Sequence, residues 1–201
     1  MRVIIITHPT PKDVRKIFKF EESDYIIGVD QAILAMYKQR IKIDLAVGDF
    51  DSLKNPGILN QLNKVELSPI KDVTDTYQAL IEAKKLNADE LIMIGGIGGQ
   101  RIEHYMANLS LFNEFENLVI IDDYSMINRV NVSINHIPFY DGYVSFFGYP
   151  KAIISLKHFK YELDHYHMDQ FDPIGISNET LENAILEIHE GSVLMIKTIK
   201  D

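Results

Sequence analysis

Three short stretches gather the residue types that bind charged ligands. In Gly48-Asp49-Phe50-Asp51-Ser52, two carboxylates stand two positions apart where an apolar run gives way to small and polar residues. Lys71-Asp72-Val73-Thr74-Asp75 adds a third carboxylate beside a lysine and a hydroxyl. Ile94-Gly95-Gly96-Ile97-Gly98-Gly99-Gln100-Arg101-Ile102-Glu103-His104 runs four glycines into an arginine, a glutamate and a histidine. The chemistry these types share is that of Mg2+ and phosphate. Hard carboxylate oxygens hold the ion while substrate phosphates complete its octahedron, and lysine, threonine, arginine and backbone amides donate to phosphate oxygens.

Each stretch alone has a plainer explanation. Asp51 or Ser52 caps a helix over Lys54 to Leu62, Asp72 or Thr74 caps the next helix, and His104 packs on a helix face. The glycine stretch is neither a Walker A loop nor a G-x-G-x-x-G fingerprint. Together they say more, because like charges gathered at one edge repel unless a cation compensates them.

That edge requires elements to build it. Short apolar runs rich in β-formers recur at Val3 to Thr7, Tyr25 to Val29, Ile43 to Val47, Lys64 to Leu67, Leu91 to Ile94 and Leu118 to Ile121. Helical periodicity falls between several of them, at Ala32 to Gln39, Asp75 to Leu86 and Ile102 to Phe115. The alternation predicts an α/β N-terminal domain with a mainly parallel sheet over 1–123. Such sheets bind ligands at the carboxyl ends of their strands, where the acidic stretches fall. Beyond it, short runs of Tyr, Phe, Val and Ile are punctuated by Tyr140-Asp141-Gly142, Gly148-Tyr149-Pro150 and Glu190-Gly191. This predicts a small all-β, sandwich-like domain over 124–201.

Composition narrows the function classes. The chain has 201 residues and a net charge of -9, which speaks against nucleic acid as a partner and requires metal ions for an anionic substrate. There is no cysteine, so disulfides, thiolate metal sites and a cysteine nucleophile are excluded, and a reducing cytoplasm fits. The opening MRVIIITHPT is too short an apolar run for a signal peptide, and no window approaches the roughly 20 apolar residues that span a bilayer. No membrane association is expected.

The motifs, in order and spacing, resemble the thiamine pyrophosphokinase family. The residues that carry the resemblance are Asp30, the Gly48 to Ser52 loop, Thr74-Asp75, and Arg101-Ile102-Glu103-His104 with Asn108. In the second half, "SLKHFKYELD", "GISNET" and "EGSVLMIKT" are similar to the family's thiamine-domain strands, its Ser-Asn turn and its closing strand. Three departures stand out: Gln31-Ala32 replaces Gly-Gly, Glu103 replaces an aspartate, and Gln100 interrupts a Gly-Gly-Arg run.

The resemblance implies transfer of a pyrophosphoryl group from ATP to the hydroxyl of thiamine, releasing AMP. It implies Mg2+ on Asp49, Asp51, Asp75 and Glu103, with Arg101 also in the catalytic set. ATP is then expected against Asp30, Lys71, Thr74, Arg101, His104 and Asn108, and thiamine against Ser177 and Asn178. A homodimer is expected, with thiamine in a groove between the β domain and a second subunit. One alternative is another pyrophosphokinase or nucleotide-dependent transferase on the same scaffold. Another is a protein binding a transition metal through His165 and His167, with His158 nearby.

Overall fold

The computed structural model describes residues 1–51, 53, 56–68 and 73–200. The chain folds as two compact units, Met1–Asp123 and Tyr124–Asp201.

The first unit carries strands β1 (Arg2–Ile6), β2 (Tyr25–Val29), β3 (Leu45–Gly48), β4 (Lys64–Glu66), β5 (Glu90–Ile94) and β6 (Leu118–Ile121). They pair in the order β4-β3-β2-β1-β5-β6, every pairing parallel. Its helices are α1 (Val14–Ile17), α2 (Ala32–Lys38), α3 (Asp75–Lys85) and α4 (Ile102–Ser110). Val3, Ile4, Ile5 and Ile6 are all fully buried, as a central parallel strand covered on both faces requires. Ile4 and Ile6 pack with Ala32 and Met36 of α2 and Val14 of α1, while Thr7, just past the end of β1, meets Thr76 of α3.

Two helix expectations are corrected. The helix expected over Lys54 to Leu62 is a 3-10 turn over Pro56–Gln61, a short segment in which Gly57 and Asn60 have low helix propensity. Lys54 itself lies outside the described residues, as do Ser52, Lys71 and Asp72. The helix expected to reach Phe115 ends at Ser110 and tightens into a 3-10 turn over Leu111–Asn113.

The second unit consists of β7 (Ser125–Ile137), β8 (Gly142–Phe159), β9 (Leu163–Asp169) and β10 (Thr180–Ile199), antiparallel in the order β7-β10-β8-β9. Tyr140-Asp141-Gly142 is the link between β7 and β8, but the other two turn signals mark something else. β8 and β10 run straight through them for 18 and 20 residues. The pairing of β10 with β8 shifts register between Ile188 and Glu190 and again between Gly191 and Val193, so these punctuation residues form bulges. Bulges bend the long strands, and residues from both sides of them share one core: Val144 and Phe146 with Ile154 and Leu156, and Leu186 and Ile188 with Val193. The sandwich-like character thus comes from long strands folded over a common interior.

Gly191 has a positive φ of 76°, and a Cβ there would lie 2.1 Å from the Lys151 carbonyl oxygen. Only glycine satisfies both demands. Gly191→Ala is therefore expected to destabilise this unit by about 2 kcal/mol or more, lowering its melting transition by roughly 10 °C in calorimetry.

Candidate active site

The strand order reverses at β1: the chain steps outward from β1 to β4 and then returns to lay β5 on the other side of β1. At the carboxyl ends of these strands a cavity of about 630 Å³ opens. It is lined by Thr7, His8 and Pro9 after β1, Val29 at the end of β2 with Asp30 and Gln31 beyond it, Thr74, Asp75 and Thr76 opening α3, and Gly98, Gly99, Gln100, Arg101 and His104.

Local chemistry builds each wall. Thr74 has extended backbone and its hydroxyl accepts from the Tyr77 N–H at 3.1 Å, which caps α3 and leaves Asp75 in its first turn. A buried hydroxyl pair, Thr7 to Thr76 at 2.9 Å, fastens β1 to α3. The glycine loop is bolted at its root. Gly95 N–H donates to the Ile121 carbonyl at 2.8 Å and Gly96 N–H to the Pro9 carbonyl at 3.0 Å. The Asn108 amide donates to the Gly96 carbonyl at 2.8 Å in a buried bond. A Cβ on Gly96 would stand 2.7 Å from that amide, so the close approach needs glycine. Beyond this root, Gly98 and Gly99 turn to the cavity.

The carboxylates occupy two places. Asp30 and Asp75 line the cavity, whereas Asp49 and Asp51 stand on the adjoining loop after β3. Asp30 N–H donates to the Val47 carbonyl at 3.0 Å, and a Cβ on Gly48 would lie 3.2 Å from that of Asp30, so the ends of β2 and β3 are pressed together. Phe50 explains the Asp-Phe-Asp spacing. It is only 8% exposed and packs in a cluster with Ile33, Ala46, Leu53 and Leu59. Anchoring that ring inward leaves Asp49 half-buried and Asp51 exposed on either side, with Asp51 N–H donating to Asp49 Oδ1 at 3.3 Å. Glu103 is exposed, and Arg101 Nε donates to it at 2.8 Å. That guanidinium holds its carboxyl below the ordinary range.

Among the described residues, no three Asp, Glu or His side chains come together as a metal-holding group. Mg2+ does not demand one, since it is usually bound by one or two carboxylates and completed by substrate phosphates and water. The donor set available, carboxylate oxygen without sulfur, fits that ion.

Several expected residues have other posts. Asn108 is not among the cavity-lining residues and is 7% exposed; it holds the glycine loop from behind. Asn178 is 3% exposed, and its amide is taken up in a local network. Its Oδ1 accepts from Tyr161 N–H at 3.0 Å and Glu179 N–H at 2.9 Å, while its Nδ2 donates to the Tyr161 carbonyl at 2.7 Å. Ser177 is exposed with φ of 52°, its N–H pinned to Ser145 Oγ at 2.9 Å. Lys71 lies outside the described residues. Among the described residues, the histidines of the second unit form no three-membered metal-holding group: His165 stacks on His189 with ring centroids 4.1 Å apart, and His158 pairs with Glu182 at 2.8 Å. Thr7, His8 and Thr76 line the cavity without standing out in the sequence. Their signal is their place beside the reversal point, visible only once the strand order is known.

A glycine-walled cleft carrying aspartates at the switch point of a parallel sheet is the place where α/β proteins bind ligands, and its glycine loop before a helix suits an anionic one. The comparisons with known proteins are more specific. Residues 19–121 match the family model for the thiamin pyrophosphokinase catalytic domain, and residues 129–193 that for its vitamin B1 binding domain. Comparison with curated protein sequences gives no match. Among solved structures, a thiamin pyrophosphokinase family protein from Enterococcus faecalis superposes with a TM-score of 0.84 at 25% identity, over 100% of both chains. The Bacillus subtilis thiamine pyrophosphokinase gives 0.85 at 22% identity, again over 100% of both. The yeast enzyme gives 0.71 at 11% identity, over 98% of this chain and 86% of its own. The chain belongs to the thiamin pyrophosphokinase family, and its activity is the pyrophosphorylation of thiamine.

The buried Asn108 bond makes a prediction of its own. Asn108→Ala leaves the Gly96 carbonyl without its side-chain donor and is expected to cost about 1 to 3 kcal/mol. Thermal melting reads the loss. Amide hydrogen exchange should locate it, with faster exchange at the root of the glycine loop than in the distant strands of the second unit.

Proposed function

We propose that the pyrophosphoryl donor is ATP, bound in the cleft of the first unit, and that Mg2+ is required. The observation that carries this reading is the gathering of Asp30, Asp75, Arg101, His104 and the Gly98-Gly99 turn around one cavity. Glycine amides and Arg101 suit the phosphates, Glu103 keeps the guanidinium in place, and Thr74 adds a donor at the start of α3; Lys71, outside the described residues, is assigned to the phosphates by its chemistry alone. Asn108 serves the nucleotide indirectly, through the loop it holds. Asp49, Asp51 and Asp75, with Glu103, would hold Mg2+, which supplies neutralisation of the triphosphate charge.

The reaction follows from the chemistry of the two substrates. The hydroxyethyl oxygen of thiamine attacks the β-phosphorus of ATP in line and forms the new O–P bond. The bond from that phosphorus to the oxygen bridging it to the α-phosphate breaks, AMP leaves with the bridging oxygen, and the hydroxyl proton passes to solvent. Little covalent work falls to the protein, whose task is alignment and stabilisation of charge.

Thiamine recognition belongs, in this reading, to the second unit. Ser177 offers its exposed hydroxyl, and Asn178 fixes the turn that carries it. The working form is a homodimer, and the compartment is the cytoplasm, where ATP is supplied.

Two measurements test these assignments. With thiamine and ATP labelled separately at the β and γ phosphates, both labels should arrive on thiamine and AMP should appear, and EDTA should abolish the reaction. Arrival of the γ label alone would make the enzyme an ordinary kinase. Ser177→Ala is expected to weaken thiamine binding by about 1 to 3 kcal/mol while leaving ATP binding and molecular mass in solution unchanged. Equal weakening of both ligands would remove Ser177 from the thiamine site.

A further inference from the structure

We propose that His8 is a further ligand-binding residue of the cleft, donating an imidazole N–H to the polyphosphate of the bound nucleotide. The inference rests on the reading of this cleft as the nucleotide site. His8 follows β1 at the reversal of strand order, and its backbone is clamped on both sides. Thr7 N–H donates to the Ile94 carbonyl at 3.0 Å, the Thr10 hydroxyl donates to the Thr7 carbonyl at 2.9 Å, and the Thr7 hydroxyl meets that of Thr76 at 2.9 Å. On the other side, the Pro9 carbonyl accepts from Gly96, and the Pro9 ring closes to 2.7 Å from where a Cβ on Gly99 would stand. Between these clamps the His8 side chain is exposed and lines the cavity.

Its surroundings decide what it can do. Asp30 faces the cavity from the end of β2 and Asp75 from α3, while Arg101 and His104 come from the start of α4. Arg101 is bonded to Glu103 at 2.8 Å, and His104 stands 4.0 Å from the same carboxylate. No hydrogen bond, ion pair or ring contact engages the His8 imidazole among the described residues. His8 is therefore a nitrogen donor of this lining that sits on backbone clamped from both sides and is not already directed to a protein acceptor. The loop that fixes Pro9 is the one whose Gly98 and Gly99 line the cavity, so His8 and the glycine turn border the same cavity from adjoining backbone. A polyphosphate suits both.

The test is calorimetric titration of ATP and of AMP into wild type, His8→Ala and His8→Gln, with melting temperatures measured on each. His8→Ala should weaken ATP binding about tenfold or more, the loss of one hydrogen bond to a charged group, and leave AMP binding unchanged. His8→Gln, which keeps an N–H donor, should recover most of the ATP affinity, and all three proteins should melt together. Unchanged ATP affinity in His8→Ala overturns the proposal alone, as does equal weakening of ATP and AMP. Loss of ATP binding in both variants with a lowered melting temperature also overturns it, because His8 would then be structural. A wild type that binds neither nucleotide overturns the cleft reading itself, and the proposal with it.

Discussion

The reversal of strand order at β1 is the constraint on which the site depends. Because β2 and β5 flank β1 while their connections run to opposite sides, the loops leaving β1, β2 and β5 diverge and leave a crevice between them. The crevice keeps its shape through short polar links: the Thr7–Thr76 hydroxyl pair, the Gly96 N–H on Pro9 and the Asn108 amide on Gly96. None of these groups needs to touch a ligand. They fix the backbone from which the ligand-facing residues project.

Charge is distributed with the same economy. Two acidic loops and the start of α3 bring aspartates to one edge, yet among the described residues no three acidic or histidine groups close into a cage. Asp49 and Asp51 are held apart by the buried ring of Phe50, and Glu103 is paired with Arg101. A site arranged this way avoids crowding its own carboxylates in the absence of a cation, and it suits an ion that reaches the protein together with phosphate oxygens.

Much of the first unit was legible because parallel strands covered on both faces read as unbroken apolar runs, and because Thr74 and the glycines carry strong local signals. The β-rich character of the second unit was equally plain. Its strand lengths were not, since Gly-Tyr-Pro and Glu-Gly signal a bend without telling a turn from a bulge, and only the paired strand decides. Asparagine posed a similar ambiguity. Asn108 and Asn178 have the composition of binding residues, but an amide that seeks a ligand and one that satisfies a buried carbonyl look alike in a sequence. His8 failed to stand out for a third reason: its significance lies in which strands flank β1, a long-range fact that no window around residue 8 contains.

The place of β10 in its sheet bears on how the polypeptide emerges from the ribosome. All six strands of the first unit have been synthesised by Ile121, so that unit can close while the rest is still being made. The second unit has no such freedom. β10 is the last of its four strands to appear, yet it lies between β7 and β8 and supplies Leu186, Ile188 and Val193 to the interior. Until residues 180–199 are available, β7 lacks its β10 partner and the apolar faces of β7 and β8 stay open, so closure of this half waits for the final strand and is set by its non-local pairings.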